Sequence, residues 1–283
     1  MLIGVQQIMI GSRCSSEEKA AAVLAAIRGA GYDGIELNSF MIHKTGFLVK
    51  AMTRAAGMPV GNGGSLDWLK LIRESGLKVL SLHTDLGSLE RDAAAVTQEA
   101  KGFGTDFAVI TGMYRFDYGD RTKVSELAAR LNRVGEALKR EGVRLLYHNH
   151  NVELQQIEPG KTAYDLLIEE TDPAFVNFEF DSYWMTDGGA NVPKLMEGLG
   201  ARLKLWHIND RGSAQKGPFM TPILKQDSRE LGYGNMDLDT LSEIARRNGV
   251  EGVILESHRN WVDGDPIKSL QISAEYMKRF HRV

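Results

Sequence analysis

Short apolar runs that end in polar residues alternate about eight times with longer amphipathic stretches along the 283 residues. An extended apolar run followed by a stretch of helical period, repeated, is the pattern of β-then-α units laid around a parallel sheet. The strand candidates are Ile3–Gln7, Gly34–Asn38, Lys78–His83, Phe107–Thr111, Arg144–His148, Val176–Asp181, Lys204–Asn209 and Val253–Ser257. Several are apolar at consecutive positions, as strands covered on both faces must be. Ser15-Ser16-Glu17-Glu18 forms a capping-box signal ahead of a helix over Lys19–Arg28, with Gly29 and Gly31 as its stop. Arg121–Arg140 and Asp237–Arg247 carry similar apolar spacing. Pro266 to Phe280 opens on a proline and sets Ile267, Leu270, Tyr276 and Met277 around one helical stripe. Phe40–Gly64 and Gly212–Tyr233, the latter holding Pro218 and Pro222, break the repeat and read as long loops carrying short helices.

No linker or change of composition divides the chain, so one closed (β/α)8 barrel of the α/β class, a single domain over residues 1–283, is the economical expectation. An open doubly wound sheet is the alternative. It lacks its dinucleotide fingerprint, because the first strand runs into Gln6-Gln7-Ile8-Met9-Ile10-Gly11 rather than a glycine-rich turn. Apolar residues at 43% and charged residues at 25% provide a full core and exclude a disordered polymer. A formal charge of -3 lacks the basic excess that phosphate-backbone binding requires, so no nucleic-acid partner is expected. Cys14 is the single cysteine, which rules out an internal disulfide and is compatible with a reducing compartment. With no signal-like start and no apolar stretch of spanning length, the expectation is a cytoplasmic protein without a membrane partner.

In a parallel barrel the functional groups collect at the carboxyl ends of the strands. Those ends carry Glu36 and Asn38, then His83 and Asp85, His148-Asn149-His150, Glu179 and Asp181, His207 with Asn209 and Asp210, and finally Glu256 and His258. Five of the seven histidines lie there, a clustering that surface histidines have no reason to show. Each group alone is equally well explained by a hydrogen bond to a loop. Together, imidazole and carboxylate suit a borderline divalent metal such as Mn, Zn, Co or Fe better than an oxygen-only calcium cage or a thiolate site. Asp181, His207 and Glu256 fall on three successive strands and can converge on one point.

The chain resembles the sugar phosphate isomerase/epimerase-like members of the xylose isomerase-like TIM-barrel superfamily over nearly its whole length. The segments that carry the resemblance are Tyr32-Asp33-Gly34-Ile35-Glu36, Gly76-Leu77-Lys78-Val79 through His83, Tyr147-His148-Asn149-His150, Phe180-Asp181-Ser182-Tyr183-Trp184, Leu205-Trp206-His207-Ile208-Asn209-Asp210, Glu230 through Asn235, and Leu255-Glu256-Ser257. The resemblance implies one divalent metal ion (Mn, Zn, Co, Fe or Mg) held by Glu, Asp, His and Glu from strands five to eight. Asp181, His207 and Glu256 match the last three. The first glutamate falls on His148, a departure from the pattern, and His150 shares the strand parity of His148. Epimerases of the superfamily use two metal-bound glutamates on opposite sides of the substrate carbon. With imidazole at one of them, symmetric exchange gives way to Glu256 as base and His148, His150 or Glu153 as the returning acid.

Glu36, His83, Trp184, Asp210 and Arg211 are candidate substrate contacts. Each has an architectural alternative: a salt bridge for Glu36, a hydrogen-bonded role for His83, and mutual pairing for Asp210 and Arg211. Glu153 either supplies a carboxylate or orients a histidine. Gly61-Asn62-Gly63-Gly64 before a helix is a weak anion-site signal. The leading expectation is a metal-dependent sugar isomerase or epimerase working through an enediolate on a small sugar, sugar phosphate or keto-sugar. Alternatives are a keto-sugar lyase or dehydratase on the same site, a phosphodiesterase of the endonuclease branch, and a non-catalytic sugar-binding barrel. The expected partner is a small carbohydrate, and a homo-oligomer is left open.

Overall fold

The computed structural model describes residues 1–44, 63–213 and 222–281. Eight parallel strands close into a barrel. They are β1 (Leu2–Gln6), β2 (Gly34–Asn38), β3 (Lys78–Thr84), β4 (Phe107–Thr111), β5 (Arg144–His148), β6 (Val176–Asp181), β7 (Leu203–Ile208) and β8 (Gly252–Leu255). Each pairs with its neighbour in sequence, and β1 also pairs with β8 to complete the circle. Helices α1 (Glu17–Ala30), α2 (Trp68–Ser75), α3 (Leu86–Gly102), α4 (Arg121–Arg140), α5 (Ala163–Glu170), α6 (Val192–Leu199), α7 (Leu238–Asn248) and α8 (Pro266–Met277) lie between and after the strands. Most begin in the same way. Asp67, Asp85, Asp120, Asp237 and Asp265 each accept a backbone N–H of the first turn, which satisfies donors that the helix itself leaves unpaired.

Side chains alternate along each strand, so the barrel has two apolar regions. Outward-facing Ile3, Ile35, Ala108, Leu145, Phe178, Trp206 and Val253 join the helices in the main core. Leu80, Phe107, Val109, Leu146, Leu205 and Ile254 form a separate cluster inside the barrel. Stepping two residues onward along β5, β7 and β8 leads from Leu146 to His148, from Leu205 to His207 and from Ile254 to Glu256. An apolar plug therefore supports a polar floor directly above it. At the opposite end, the Arg144 guanidinium donates to Glu251 at 2.6 Å and Asp106 at 2.8 Å and lies 3.9 Å from the Phe107 ring centroid, tying together the starts of β4, β5 and β8. A register shift between Ile35 and Glu36 sets Glu36 beside Ser81 and Asn38 beside His83.

The closed barrel agrees with the sequence expectation. Its boundaries differ by one or two residues: β1 ends at Gln6 because that side chain accepts the Ile8 N–H and turns the chain into a 3-10 segment. Helix α1 starts two residues before the expected Lys19, with Ser16 as its cap. Two antiparallel hairpins were not expected, Gln156–Glu158 with Lys161–Thr162 and Asp210–Gly212 with Asp227–Arg229; their strands are too short to show a period. The expected loops Phe40–Gly64 and Gly212–Tyr233 lie partly outside the described residues, as do Gly61, Asn62 and Pro218.

Gly135 on α4 marks a close approach between helix and barrel loop: a Cβ there would stand 2.4 Å from the Phe175 carbonyl oxygen. Gly135→Ala is expected to cost about 1–3 kcal/mol through forced separation of these backbones. A lowered urea midpoint with an unchanged slope checks this.

Candidate active site

His207 lies at the centre of the polar floor with both ring nitrogens engaged. Its Nδ1 is 2.9 Å from Glu256 Oε2 and 4.0 Å from Asp181 Oδ2. On the other edge, Nε2 is 2.6 Å from Glu36 Oε2 and 3.3 Å from Glu179 Oε2. Glu179 Oε2 also receives His83 Nε2 at 2.9 Å and His148 Nδ1 at 3.0 Å. Glu36 Oε1 is 3.0 Å from His83 Nε2 and accepts the Ser81 hydroxyl. None of Glu36, His83, His148, Glu179, Asp181, His207 and Glu256 is more than 7% exposed.

Burial and proximity pull the charges of these groups in different directions. Burial disfavours a charged His83 ring, yet Glu36 and Glu179 outweigh it and raise its pKa to about 10. His207 is likewise raised well above its ordinary value, burial being overcome by Glu179, Glu36 and Glu256. Burial opposes ionisation of Glu179 and Glu256, but the neighbouring imidazoles hold both well below the usual carboxylate range. Asp181 goes the other way: burial, reinforced by the ionised Glu256, raises it well above normal. Burial, with the charges of nearby histidines, lowers His148, and it lowers His150 to about 3.

Above this floor opens a cavity of about 610 Å³ whose wall includes Gln6, Asn38, Thr111, His83, His148, His150, Trp184, Glu256, His258 and Arg259. The Trp184 ring lies 5.8 Å from the His150 ring and 5.8 Å from the His258 ring, so three flat groups form one side. Gln6 and Asn38 exchange amide hydrogen bonds at 2.8 and 3.3 Å on the wall. Among the described residues of the lining, Arg259 is the one guanidinium or ammonium group, and its Nε donates to Asp227 at 2.8 Å.

The structure brings His148, Asp181, His207 and Glu256 together, with one donor atom from each lying within 4.8 Å of the others. His83, His150 and Trp184 reach the cavity. Other candidates do not. Glu36 is fully buried beneath the floor, where its carboxylate is taken up by Ser81, His83 and His207 rather than turned to the mouth. Glu153 accepts the Tyr147 hydroxyl at 2.7 Å and the His150 backbone N–H at 3.0 Å, so it positions the β5 end instead of facing the cavity. Asp210 accepts the backbone N–H groups of Arg211, Gly232, Gly234 and Met236 and acts as a loop anchor. Arg211 Nε donates to Asp187 at 3.2 Å and lines a different surface pocket. Glu179 and His258 stand among the strand-end groups that the sequence singles out without a role, and Arg259 is not among them. The parity of Glu179 with Asp181, two positions earlier on β6, was the available signal.

In the metal-free protein the pKa of His83 is about 10 when folded, above the ordinary 6.5. The stabilisation this provides is full below about pH 6.5 and is lost as pH rises through about 10. Chelator-treated protein is expected to weaken across that window, by at most about 1.4 kcal/mol per pH unit from this group. His83→Gln flattens the profile, which urea midpoints measured along a pH series will show.

A family model described as a xylose isomerase-like TIM barrel matches residues 24–280. An inosose dehydratase from Clostridium perfringens is 24% identical over 160 residues, covering 54% of this chain and 53% of that protein, so the chain spans about half the length of the curated relatives it matches. A sugar phosphate isomerase/epimerase from Parabacteroides distasonis has TM-score 0.75 at 22% identity, over 98% of this chain and 93% of the other. A xylose isomerase-like TIM barrel protein from Mycobacterium smegmatis, solved in complex with magnesium, has TM-score 0.67 at 15% identity, over 98% and 95% of the two chains. These structural likenesses agree with the closed barrel, and the match of the family model across seven of the eight strands shows that the chain belongs to the xylose isomerase-like TIM barrel family.

Proposed function

We propose that the protein is a metal-dependent enzyme that removes a proton beside the carbonyl of a small, neutral, polyhydroxylated compound, forming an enediolate. The observation that carries this reading is the convergence of His148, Asp181, His207 and Glu256 at a cavity floor, with Glu256 reaching the cavity itself. Two imidazoles and two carboxylates fit Mn, Zn, Co or Fe, and Mg is admissible through the carboxylates. The charges fit as well: burial and the neighbouring Glu256 carboxylate raise the Asp181 pKa well above normal, and a divalent cation would relieve that opposition to its ionisation. Magnesium in the related M. smegmatis structure supports the assignment. A metal held by these four residues would polarise the substrate carbonyl and stabilise the negative charge that develops on its oxygen.

Glu256 acts as the base. Its Oε2 is engaged by His207 Nδ1, while Oε1 is 3.7 Å from His258 Nε2 on the cavity side. Trp184 offers its face to the C–H groups of a cyclic polyol. The Gln6–Asn38 pair and Thr111 supply hydrogen bonds to hydroxyls. Arg259, the one guanidinium or ammonium group of the described lining, is already paired with Asp227, and His83 with Glu36 and Glu179, so a neutral substrate suits this wall better than a phosphorylated one.

Loss of water is the outcome this arrangement favours. Of the two carboxylates in the four-residue group, only Glu256 lines the cavity; the other titratable groups around it are mainly imidazoles. Glu256 takes the proton from the carbon beside the carbonyl. Hydroxide then leaves the next carbon with a proton from His258, giving an unsaturated ketone and water. The inosose dehydratases among the relatives support this branch. Isomerisation or epimerisation, which the sequence resemblance implies, shares the first step and returns the proton to carbon.

Metal-loaded protein incubated in deuterated water with aldoses, ketoses, inososes and keto-glycosides separates these branches by NMR. A vinylic signal marks elimination, deuterium with all hydroxyls retained marks isomerisation or epimerisation, and neither change with any member of the panel overturns the proposal. At saturating metal, Glu256→Gln is expected to slow exchange by about 10²–10⁴-fold. Asp181→Ala and His207→Ala are expected to lower metal occupancy after dialysis, read by elemental analysis.

A further inference from the structure

A second group of four donors lies beneath the first. His83, His148, Glu179 and His207 each offer one atom within 4.8 Å of the others. The imidazole atoms that surround Glu179 are His83 Nε2, His148 Nδ1 and His207 Nε2, so His207 uses the nitrogen opposite the one turned to Asp181 and Glu256. All three reach Glu179 Oε2. The other oxygen, Oε1, is buried and has no hydrogen-bond partner. Three imidazoles compensate Oε2, but Oε1 is left without a hydrogen bond, which for a buried acceptor costs about 1–3 kcal/mol. A cation drawn to this carboxylate would meet the lone pairs of the three imidazoles that converge on Oε2.

We propose that this deeper group is a second divalent-cation position, distinct from the one at Asp181 and Glu256. Three nitrogens and the Glu179 carboxylate, with Glu36 also 2.6 Å from His207 Nε2 and 3.0 Å from His83 Nε2, form a nitrogen-rich shell that selects zinc or cobalt over magnesium and manganese. Its occupation displaces the ring protons that now lie between the imidazoles and Glu179. A neutral imidazole has one lone pair, and His148 and His207 belong to both groups, so the chain takes one ion in one position or the other. An ion in the deeper position leaves Nδ1–H of His207 facing Glu256. Of the four donors of the deeper group, His83 and His148 line the cavity, while Glu179 and His207 do not. This assignment does not rest on the reaction proposed above.

Crystals of the full chain grown with one equivalent of zinc, and separately with manganese, test it by anomalous scattering at each metal edge. Zinc is expected within bonding distance of Glu179 and His83, and manganese beside Asp181 and Glu256. In solution, zinc affinity measured by chelator competition is expected to fall by less than about 10-fold in an Asp181→Asn/Glu256→Gln double variant. Glu179→Gln is expected to lose more than the roughly 10- to 100-fold that removal of a merely supporting hydrogen-bond partner costs. Should Glu179→Gln fail to fold, the map of the parent protein and the double variant still decide. A zinc peak confined to the Asp181–Glu256 position, zinc at neither position, or loss of zinc by the double variant overturns the proposal.

Discussion

Glu179 holds a carboxylate that is fully withdrawn from solvent, and one of its oxygens meets three imidazoles from three different strands. An isolated charge at that depth is prohibitively unfavourable, so the histidines and the acid require one another. Their convergence in turn requires β3, β5, β6 and β7 to share a register that brings His83, His148, Glu179 and His207 to one height. The apolar plug of Leu80, Leu146, Leu205 and Ile254 supports that height from below, and the Arg144 ion pairs tie the strand starts.

The barrel was legible because burying both faces of a parallel strand leaves a continuous apolar run, and eight such runs leave few alternative architectures. Much of the floor was legible for a related reason: strand ends are where polar residues interrupt those runs, which isolates His83, His148, Asp181, His207 and Glu256. Depth was not. Glu36 interrupts its apolar run within β2, whereas Glu256 follows the end of β8, and a shifted register between β2 and β3 places Glu36 under His83 and His207. Side-chain alternation indicates which face a residue occupies but not how far along the barrel axis it lies relative to a neighbour.

The misplaced candidates share a physical pattern. Asp210 and Glu153 spend their carboxylates on backbone N–H groups, and Arg211 spends its guanidinium on Asp187. In sequence, an acid that anchors a loop is indistinguishable from one that faces a substrate, because both need the same polar group near a strand end. The distinction comes from residues such as Gly232, Gly234 and Met236, which approach Asp210 only after the following loop has folded.

Asp181 belongs to two assemblies at once. One oxygen, Oδ1, accepts the Trp184 backbone N–H at 2.8 Å and starts the short helix Ser182–Asp187, while Oδ2 points toward His207. The carboxylate is thus a rigid lever: rotating it to serve one side strains the hydrogen bond on the other. Whatever engages Oδ2 is transmitted through one planar group to the segment that carries the indole. The backbone that carries the Trp184 indole on the cavity wall is thus hydrogen-bonded to the same carboxylate that faces His207.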